Sequence, residues 1–287
     1  MAKKLQGKSA VVTGSGSPVG IGRAVAIALA AEGASVVVND IGKDKDGNRA
    51  ADKVVAEIVK AKGKAVANYD SVATVQGGEN IIKTALSSFG KIDILVNCAG
   101  NFLPRRFAET TEQEWDSIMS VHIKGHFACA KAAVPEMIKQ KSGRIINFSS
   151  RGATVGGGST VYSTAKAGIL GFTSALAADL QEYGITVNAI LPSAVTELFP
   201  WPKKRMEDNL PVAFSLEADY VAPMVAYLAT DEARSITGRY IYASGGDICI
   251  YPQPLRLPAE SPMFIRKMGK WTVEELAQVI PSLMGLA

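Results

Sequence analysis

The stretch SAVVTGSGSPVGIG, residues 9–22, decides the fold. Its first five residues are small or β-branched and predict a buried strand, and its final glycines lead into a segment with helical spacing of apolar residues. Gly14 permits a tight turn, Gly20 lets backbone amides approach a pyrophosphate, and Gly22 lets the helix lie close to the sheet. Phosphates bound here would meet the positive end of the helix dipole. The alternative is an ordinary strand-to-helix turn without a ligand.

Further apolar runs of the same kind follow along the chain, separated by segments with helical spacing. Parallel strands need a crossover connection, and near-continuous apolar strands need cover on both faces. The pattern therefore predicts a doubly wound α/β fold with a parallel seven-stranded sheet. The predicted strands are SAVVT, ASVVVND, KAVANYD, IDILVN, GRIINFSS, GITVNAI and GRYIYA, and the predicted helices span Ile21–Ala31, Ala50–Ala61, Glu79–Phe89, Glu112–Lys139, Val161–Glu182 and Glu217–Leu228. Pro135 should kink or end its helix locally, because proline lacks an N–H.

The composition indicates one large globular domain without bias toward disorder, since 47% of the 287 residues are hydrophobic and 20% are charged. A net charge of +4, spread along the chain, argues against a nucleic-acid partner. Cys98, Cys129 and Cys249 have neither disulfide nor metal-ligand spacing and predict free thiols without a metal site. No run approaches the roughly 20 apolar residues of a membrane span, and MAKKLQGKSA lacks a signal peptide's apolar stretch. We expect a cytoplasmic protein without a membrane association.

The chain changes character near residue 251, where YPQPLRLPAESP holds four prolines. Such a segment cannot join a regular element, although Thr272 could cap a last helix through Ser282. We predict a single catalytic domain, residues 1–250, and a C-terminal extension, residues 251–287. The extension is expected to pack on the core or in a subunit interface.

An acidic residue at the end of the second predicted strand points to a dinucleotide. Asp40 lies about twenty residues beyond the glycine loop, where a carboxylate accepts hydrogen bonds from the adenosine ribose. The negative charge of Asp40 would repel the 2′-phosphate of NADP, which favours NAD as the cofactor. The positive charges of Lys43, Lys45 and Arg49 could reduce that repulsion. An ordinary cap or turn residue is the alternative interpretation of Asp40. Asp70 and the NCAG motif, Asn97 to Gly100, follow the third and fourth predicted strands and lie at the same carboxyl edge of the sheet. Ligands of open α/β sheets bind along this edge.

The sequence YSTAK places Tyr162 and Lys166 four residues apart at the start of a helix, on one face. A phenol with a pKa near ~10 is a poor acid-base catalyst at neutral pH, but a nearby ammonium and an oxidised nicotinamide both favour the phenolate. Lys166 is therefore expected to lower the pKa of Tyr162 and to bind the nicotinamide ribose. Upstream, NFSS presents a serine hydroxyl for the substrate oxygen. Strand alignment favours Ser150, whereas counting back from the tyrosine gives Ser149.

These motifs, in this order, resemble the classical short-chain dehydrogenase/reductase family over nearly the full length of the chain. The resemblance implies a Rossmann-type sheet, hydride exchange with a nicotinamide, and a homotetramer or homodimer. It implies a catalytic group of Ser150, Tyr162, Lys166 and His122. The cofactor-binding residues it implies are Gly14, Ser15, Gly20, Ile21, Gly22, Asp40, Asp70, Ser71, Asn97, Ala99, Gly100, Tyr162, Lys166, Pro192, Val195 and Thr196.

A narrower resemblance lies in SVVVNDIG, AADKVVAEI, KAVANYDSV and VHIKGHF, which look like the (3R)-hydroxyacyl-CoA dehydrogenase part of peroxisomal multifunctional enzyme type 2. Most members of the short-chain dehydrogenase/reductase family carry Asn where this chain has His122. The multifunctional-enzyme branch of the family resembles this chain in having His there. The resemblance implies that His122 keeps a proton relay through its main chain or its imidazole. A core histidine with satisfied hydrogen bonds is the alternative, and His126 is expected to be structural.

Residues 195–216 form the predicted substrate lid, because long loops with little regular structure are usually functional. We expect Leu198, Phe199 and Trp201 to contact an acyl or ring group. If the substrate is a CoA thioester, we expect basic residues to bind the phosphates of CoA. The sequence thus predicts an NAD-dependent dehydrogenase of a 3-hydroxyacyl-CoA or similar thioester. A dehydrogenase of a free cyclic, aromatic or steroid alcohol and a non-catalytic dinucleotide-binding subunit are the alternatives. The candidate phosphate contacts are Arg105, Arg106, Lys203, Lys204 and Arg205.

Overall fold

One sheet of eight strands forms the centre of the computed structural model, which describes residues 3–155, 159–199, 215–252 and 279. The strand order is β3-β2-β1-β4-β5-β6-β7-β8, and β1 to β7 pair in parallel. All seven predicted strands are present, so the predicted doubly wound α/β fold is confirmed. The strands are β1 Ser9–Thr13, β2 Ser35–Asn39, β3 Lys64–Asn68, β4 Ile94–Asn97, β5 Gly143–Phe148, β6 Ile185–Pro192, β7 Tyr240–Ser244 and β8 Asp247–Ile250.

The eighth strand is a correction to the predicted count of seven. β8 pairs antiparallel with β7, and Ser244 lies opposite Asp247, so only Gly245 and Gly246 form the turn. Their φ angles of 52° and 95° suit a two-residue hairpin turn, which glycine adopts without a steric cost. All four residues of β8 are exposed, and its apolar pattern is too short to be read as a buried strand.

Helices cover both faces of the sheet. One core cluster joins α1, α2 and α8 to residues such as Val12 and Val36, and a second joins α3, α5 and α7 to Val11 and Val37. Neighbouring strand residues therefore pack against opposite layers, which explains why the strands are apolar throughout. The helices are α1 Ile21–Ala31, α2 Ala50–Lys60, α3 Val75–Phe89, α4 Glu112–Met119, α5 Gly125–Gln140, α6 Gly152–Val155, α7 Thr160–Leu180 and α8 Ala222–Leu228.

The longest predicted helix, Glu112–Lys139, is interrupted, but not at the proline. A π-helical turn, Ser120–Lys124, separates α4 from α5, and α5 continues through Pro135. Pro135 and Lys131 are both exposed, so the Lys131 carbonyl that loses its helical partner can bond to water. The helix therefore does not end at Pro135, and the irregular turn lies at His122 instead.

Two of the predicted segments fall mainly on residues that are not described. The chain divides into two units, Met1–Tyr251 and Pro252–Ala287. The predicted C-terminal extension, with its helix from Thr272, lies outside the described residues apart from its first two residues and Val279, and the lid lies outside them from residue 200 to residue 214. No described helix is long and apolar enough to cross a membrane.

Candidate active site

A cleft of about 990 Å³ lies at the carboxyl ends of the parallel strands. It spans the point where the strand order reverses, between β1 and β4, which is where open α/β sheets bind ligands. Most of the predicted site residues are brought together there, although they are distant in the sequence. Those lining the cleft are Gly14, Gly20, Ile21, Gly22, Asp40, Asp70, Ser71, Ala99, Gly100, His122, Ser150, Tyr162, Lys166, Pro192 and Thr196.

Three predicted cofactor contacts are not among the residues that line the cleft. The Ser15 hydroxyl donates to Val12 O (2.8 Å), and the Ser15 amide donates to Asn39 O (3.0 Å), so both groups bond to the strands. The Asn97 side chain is buried and donates to Asn147 Oδ1 (3.0 Å), which joins β4 to β5. Val195 is over a third exposed. The side chains of Ser15 and Asn97 thus bond within the sheet, and a cofactor contact by any of the three residues stays a prediction.

The glycine loop forms a cradle that side chains would fill. Gly14 has a φ of +63°, and a Cβ there would lie 2.5 Å from Ala99 Cα. A Cβ on Gly22 would lie 2.3 Å from Gly14 O, so α1 packs against the loop only without a side chain at this position. Helix α1 begins after Gly20 without a side-chain cap, which leaves its first amides for a ligand. This arrangement fits the pyrophosphate of a dinucleotide.

Asp40 lies at the end of β2 and supports the glycine loop directly. Its Oδ2 accepts a hydrogen bond from the Gly16 amide (2.7 Å), and its Oδ1 accepts one from the Gly42 amide (2.8 Å). Each carboxylate oxygen has a second lone pair, which remains for a ribose hydroxyl. Arg49 stacks on the Tyr69 ring at 4.9 Å, and no ion pair among the described residues joins a cation to Asp40. Its charge is therefore not neutralised by the basic residues that follow it in the chain.

Two lining residues that the sequence analysis missed connect the glycine loop to the segment after β6. Ser17 Oγ donates to Glu197 Oε2 (2.8 Å), which places a second carboxylate over the glycine loop. No local sequence signal marks this pair, because the two residues are separated by 180 positions.

Tyr162 and Lys166 are both buried beside the cleft, on the first turns of α7. Lys166 Nζ donates to Phe148 O (2.7 Å) and lies 5.5 Å from the centre of the Tyr162 ring. Burial lowers the pKa of Lys166 to about 8. Burial also raises the pKa of Tyr162 to about 12, and the hydrogen bond with Ser150 acts in the opposite direction. The structure thus differs from the predicted lowering by Lys166, because the ammonium bonds to a main-chain carbonyl rather than to the phenol oxygen.

The two candidate serines point to different partners. Ser149 is buried, and its hydroxyl donates to the main-chain oxygen of Lys166 (2.7 Å). Its amide donates to Ile190 O (2.9 Å), which continues the pairing of β5 with β6. The Ser150 side chain bonds to Tyr162 and accepts a hydrogen bond from the Gly152 amide (3.1 Å). The hydroxyl beside the phenol is therefore that of Ser150.

His122 lies in the π-helical turn and is fully buried. Its Nε2 lies 2.8 Å from the main-chain oxygen of Asn101 and 3.2 Å from the Asn101 amide, while its Nδ1 has no partner among the described residues. The ring stands edge-on to Tyr162, with 5.4 Å between centroids. Burial holds the pKa of His122 well below its usual range, and the charge of Lys166 acts in the same direction. His122 is therefore a neutral imidazole beside the phenol.

The aromatic rings of two residues that line the cleft lie next to the phenol of Tyr162. Phe102 lies edge-on to Tyr162 at 5.2 Å, and Phe199 lies 4.6 Å from Phe102 and 5.6 Å from Tyr162. Phe199 follows a tight turn in which its amide donates to Thr196 Oγ1 (3.1 Å). The apolar wall next to the reacting group thus includes one predicted lid residue and one residue, Phe102, that the sequence analysis missed.

A glycine cradle for a dinucleotide lies beside a buried tyrosine and lysine and a half-buried serine. These features define an oxidoreductase that uses a nicotinamide dinucleotide. The family model described as enoyl-(acyl carrier protein) reductase matches residues 14–247. The chain belongs to the short-chain dehydrogenase/reductase family, as the resemblance in the sequence indicated.

Several known proteins resemble this chain at about 40% identity. Mouse peroxisomal multifunctional enzyme type 2 is 41% identical over 249 residues, which cover 84% of this chain and 32% of the mouse enzyme. The 3-oxoacyl-[acyl-carrier-protein] reductase of Staphylococcus aureus is 40% identical, over 83% of this chain and 97% of that protein. A short-chain dehydrogenase crystal structure from Mycobacterium avium superposes with a TM-score of 0.85 at 40% identity, covering 99% of this chain and 97% of that one.

Proposed function

We propose that this protein interconverts a secondary alcohol and its ketone with NAD(H), and that Tyr162 is the general acid or base. One observation carries the proposal: the Ser150 hydroxyl, the Tyr162 phenol and the Lys166 ammonium are grouped at the cleft beside the glycine cradle. A nicotinamide dinucleotide, when bound, supplies the hydride donor or acceptor. The residues of the chain bind the substrate oxygen and move its proton.

Tyr162 holds a proton at neutral pH, because its pKa is about 12. It can therefore donate that proton to a ketone oxygen during reduction, while Ser150 donates a second hydrogen bond to the same oxygen. Oxidation of an alcohol requires the phenolate, and Lys166 can stabilise it by turning its ammonium from Phe148 O toward the phenol oxygen. His122, a neutral imidazole beside the ring, is the proposed proton relay, and its Nδ1 has no protein partner among the described residues.

NAD rather than NADP is the proposed cofactor. The negative charge of Asp40 at the end of β2 would repel a 2′-phosphate on the ribose, and no described cation pairs with this carboxylate. Glu197 adds a second carboxylate on the same side of the cleft. A homotetramer or homodimer and a cytoplasmic location stay predictions from the sequence.

A hydroxyacyl thioester is the proposed substrate class. The names of two relatives, a 3-oxoacyl-[acyl-carrier-protein] reductase and a peroxisomal multifunctional enzyme, support it. The rings of Phe102 and Phe199 provide an apolar wall that an acyl chain can contact. The same wall also suits a free cyclic or aromatic alcohol, which is the second candidate.

The test is the appearance of NADH absorbance with a panel of 3-hydroxyacyl-CoA esters and cyclic secondary alcohols. Tyr162→Phe should lower turnover at least ~100-fold without loss of NADH binding. Tyr227→Phe is the matched control, because Tyr227 is exposed on α8 and does not line the cleft. Full activity of Tyr162→Phe would place the proton transfer elsewhere, and faster turnover of cyclic alcohols would favour the second candidate.

A further inference from the structure

Arg151 is a cationic residue of the cleft to which the proposed reaction assigns no task. It follows Ser150 directly, in the loop between β5 and α6, and it is one of the residues that line the cleft. The main chain is held in place, because Arg151 O accepts hydrogen bonds from the Thr154 amide (2.9 Å), the Thr154 hydroxyl (3.0 Å) and the Val155 amide (3.1 Å). The guanidinium therefore extends from a fixed point next to the catalytic serine.

The guanidinium has no anionic partner within the described part of the chain. It takes part in none of the ion pairs or side-chain hydrogen bonds of those residues, although it is half-buried. The other cation on the cleft wall, Lys166, already donates to Phe148 O. The carboxylates that line the cleft bond elsewhere: Asp40 to the Gly16 and Gly42 amides, Asp70 to Asn68 and Asn80, and Glu197 to Ser17.

A guanidinium carries five donors and no acceptor, and its fork matches the two oxygens of a carboxylate. Several other residues that line the cleft, Phe102, Val155 and Phe199 among them, are apolar and carry no side-chain acceptor for it. The charge of Arg151 lowers the pKa of Tyr251, against the effect of burial, which raises it. A ligand anion that enters the cleft would therefore meet a guanidinium that no described carboxylate pairs with.

Of the basic residues that the sequence analysis proposed as phosphate contacts, Arg105 and Arg106 are described, whereas Lys203, Lys204 and Arg205 lie outside the described residues. Arg105 Nε donates to Glu114 Oε1 (2.8 Å) on the exposed side of α4. Arg106 is exposed, and neither arginine lines the cleft. Arg151 is therefore better placed than either one to contact a bound substrate.

We propose that Arg151 binds a carboxylate carried by the substrate itself, within one arginine side chain's length of the reacting carbinol. This inference rests on the proposed alcohol–ketone reaction, and within it favours hydroxy acids, or hydroxyacyl thioesters that carry a further free carboxylate, over thioesters without one. The phosphates of CoA are separated from the acyl group by the long pantetheine arm, so they do not fit an anion site next to Ser150.

The kinetic test compares 3-hydroxybutyrate with its methyl ester, which has the same carbon skeleton without the charge. Wild-type protein should favour the acid in kcat/KM, and Arg151→Gln should lower kcat/KM for the acid about 10- to 100-fold, mainly through KM, with the ester little changed. Arg151→Lys should recover part of the loss, because it keeps the charge without the fork. Arg106→Gln is the matched control and should change neither substrate. An equal loss for acid and ester in Arg151→Gln would overturn the proposal.

A binding measurement separates this inference from the proposed function. Calorimetric titration of benzoate and benzamide into the NAD-saturated protein needs no turnover. Benzoate should bind at least about 10-fold tighter than benzamide, and Arg151→Gln should remove that difference. If the protein turns over neutral alcohols while benzoate and benzamide bind alike, the role of Arg151 is wrong. If benzoate is favoured but no alcohol is oxidised, the anion site stands and the proposed oxidoreductase reaction fails.

Discussion

The buried ammonium of Lys166 should make the stability of the protein depend on pH in a specific direction. Burial lowers the pKa of Lys166 from 10.5 to about 8, while the unfolded chain keeps the ordinary value. Below pH 8 both states carry the proton, and the folded state bears the full cost of the buried charge. Between pH 8 and pH 10.5 the folded protein releases the proton first. The free energy of unfolding should therefore rise with pH across this window.

The size of the effect follows from the shift. One pKa unit corresponds to about 1.4 kcal/mol, so a shift of between two and three units gives about 3 kcal/mol over the whole window and about 2 to 3 kcal/mol between pH 7 and pH 10. Other lysines and tyrosines titrate in this range as well. The difference between wild type and Lys166→Met isolates the contribution of this one group.

Urea unfolding of the cofactor-free protein at several pH values is the assay. The stability of wild type relative to Lys166→Met should increase by that amount from pH 7 to pH 10. Lys83→Met, which removes an exposed lysine of α3, is the matched control and should run parallel to wild type. Parallel curves for wild type and Lys166→Met would refute the reasoning, because they would mean that the buried lysine keeps its ordinary pKa.

Other substitutions test individual parts of the cleft. Ser150→Ala should lower turnover by at least about 10-fold with NADH binding retained, because its hydroxyl is the one beside the phenol; equal kinetics of Ser150→Ala and wild type would contradict this. Gly22→Ala should abolish NADH binding measured by fluorescence titration, since a Cβ would lie 2.3 Å from Gly14 O; unchanged affinity would show that the loop can move away. Asp40→Ala should narrow the ratio of kcat/KM between NAD and NADP, and a wild-type preference for NADP would reverse the cofactor assignment.

The sequence predicted the strands well because their signal is local. Each parallel strand is a short β-branched run that both faces of the sheet bury, so the run itself carries the information. Helix α1, Ile21–Ala31, has the bounds that its apolar spacing and the preceding glycines indicate. Strand β8 has a local signal as well, the Gly245–Gly246 pair, but its exposed residues lack the burial pattern that identified the others.

The direction of side chains at the strand ends could not be read from the sequence. Ser149 and Ser150 are chemically identical neighbours, and only the pairing of Ser149 with Ile190 of β6 turns its hydroxyl inward and leaves Ser150 facing the phenol. Asn97 belongs to the NCAG motif, yet its amide bonds across the sheet to Asn147 instead of lining the cleft. Both outcomes depend on neighbouring strands that are far away in the chain.

By itself, the sequence determined that this chain forms a doubly wound sheet with a glycine cradle and a tyrosine and lysine on one helix face. Those features follow from residue type and spacing over a few residues. Only the tertiary structure decided that Lys166 bonds to Phe148 O, that a π-helical turn places His122 against the phenol, and that Arg151 lines the cleft without an ion-pair partner among the described residues. These are decided by burial and by contacts between distant segments, because hydrogen-bond partners are chosen in the packed structure and not along the chain.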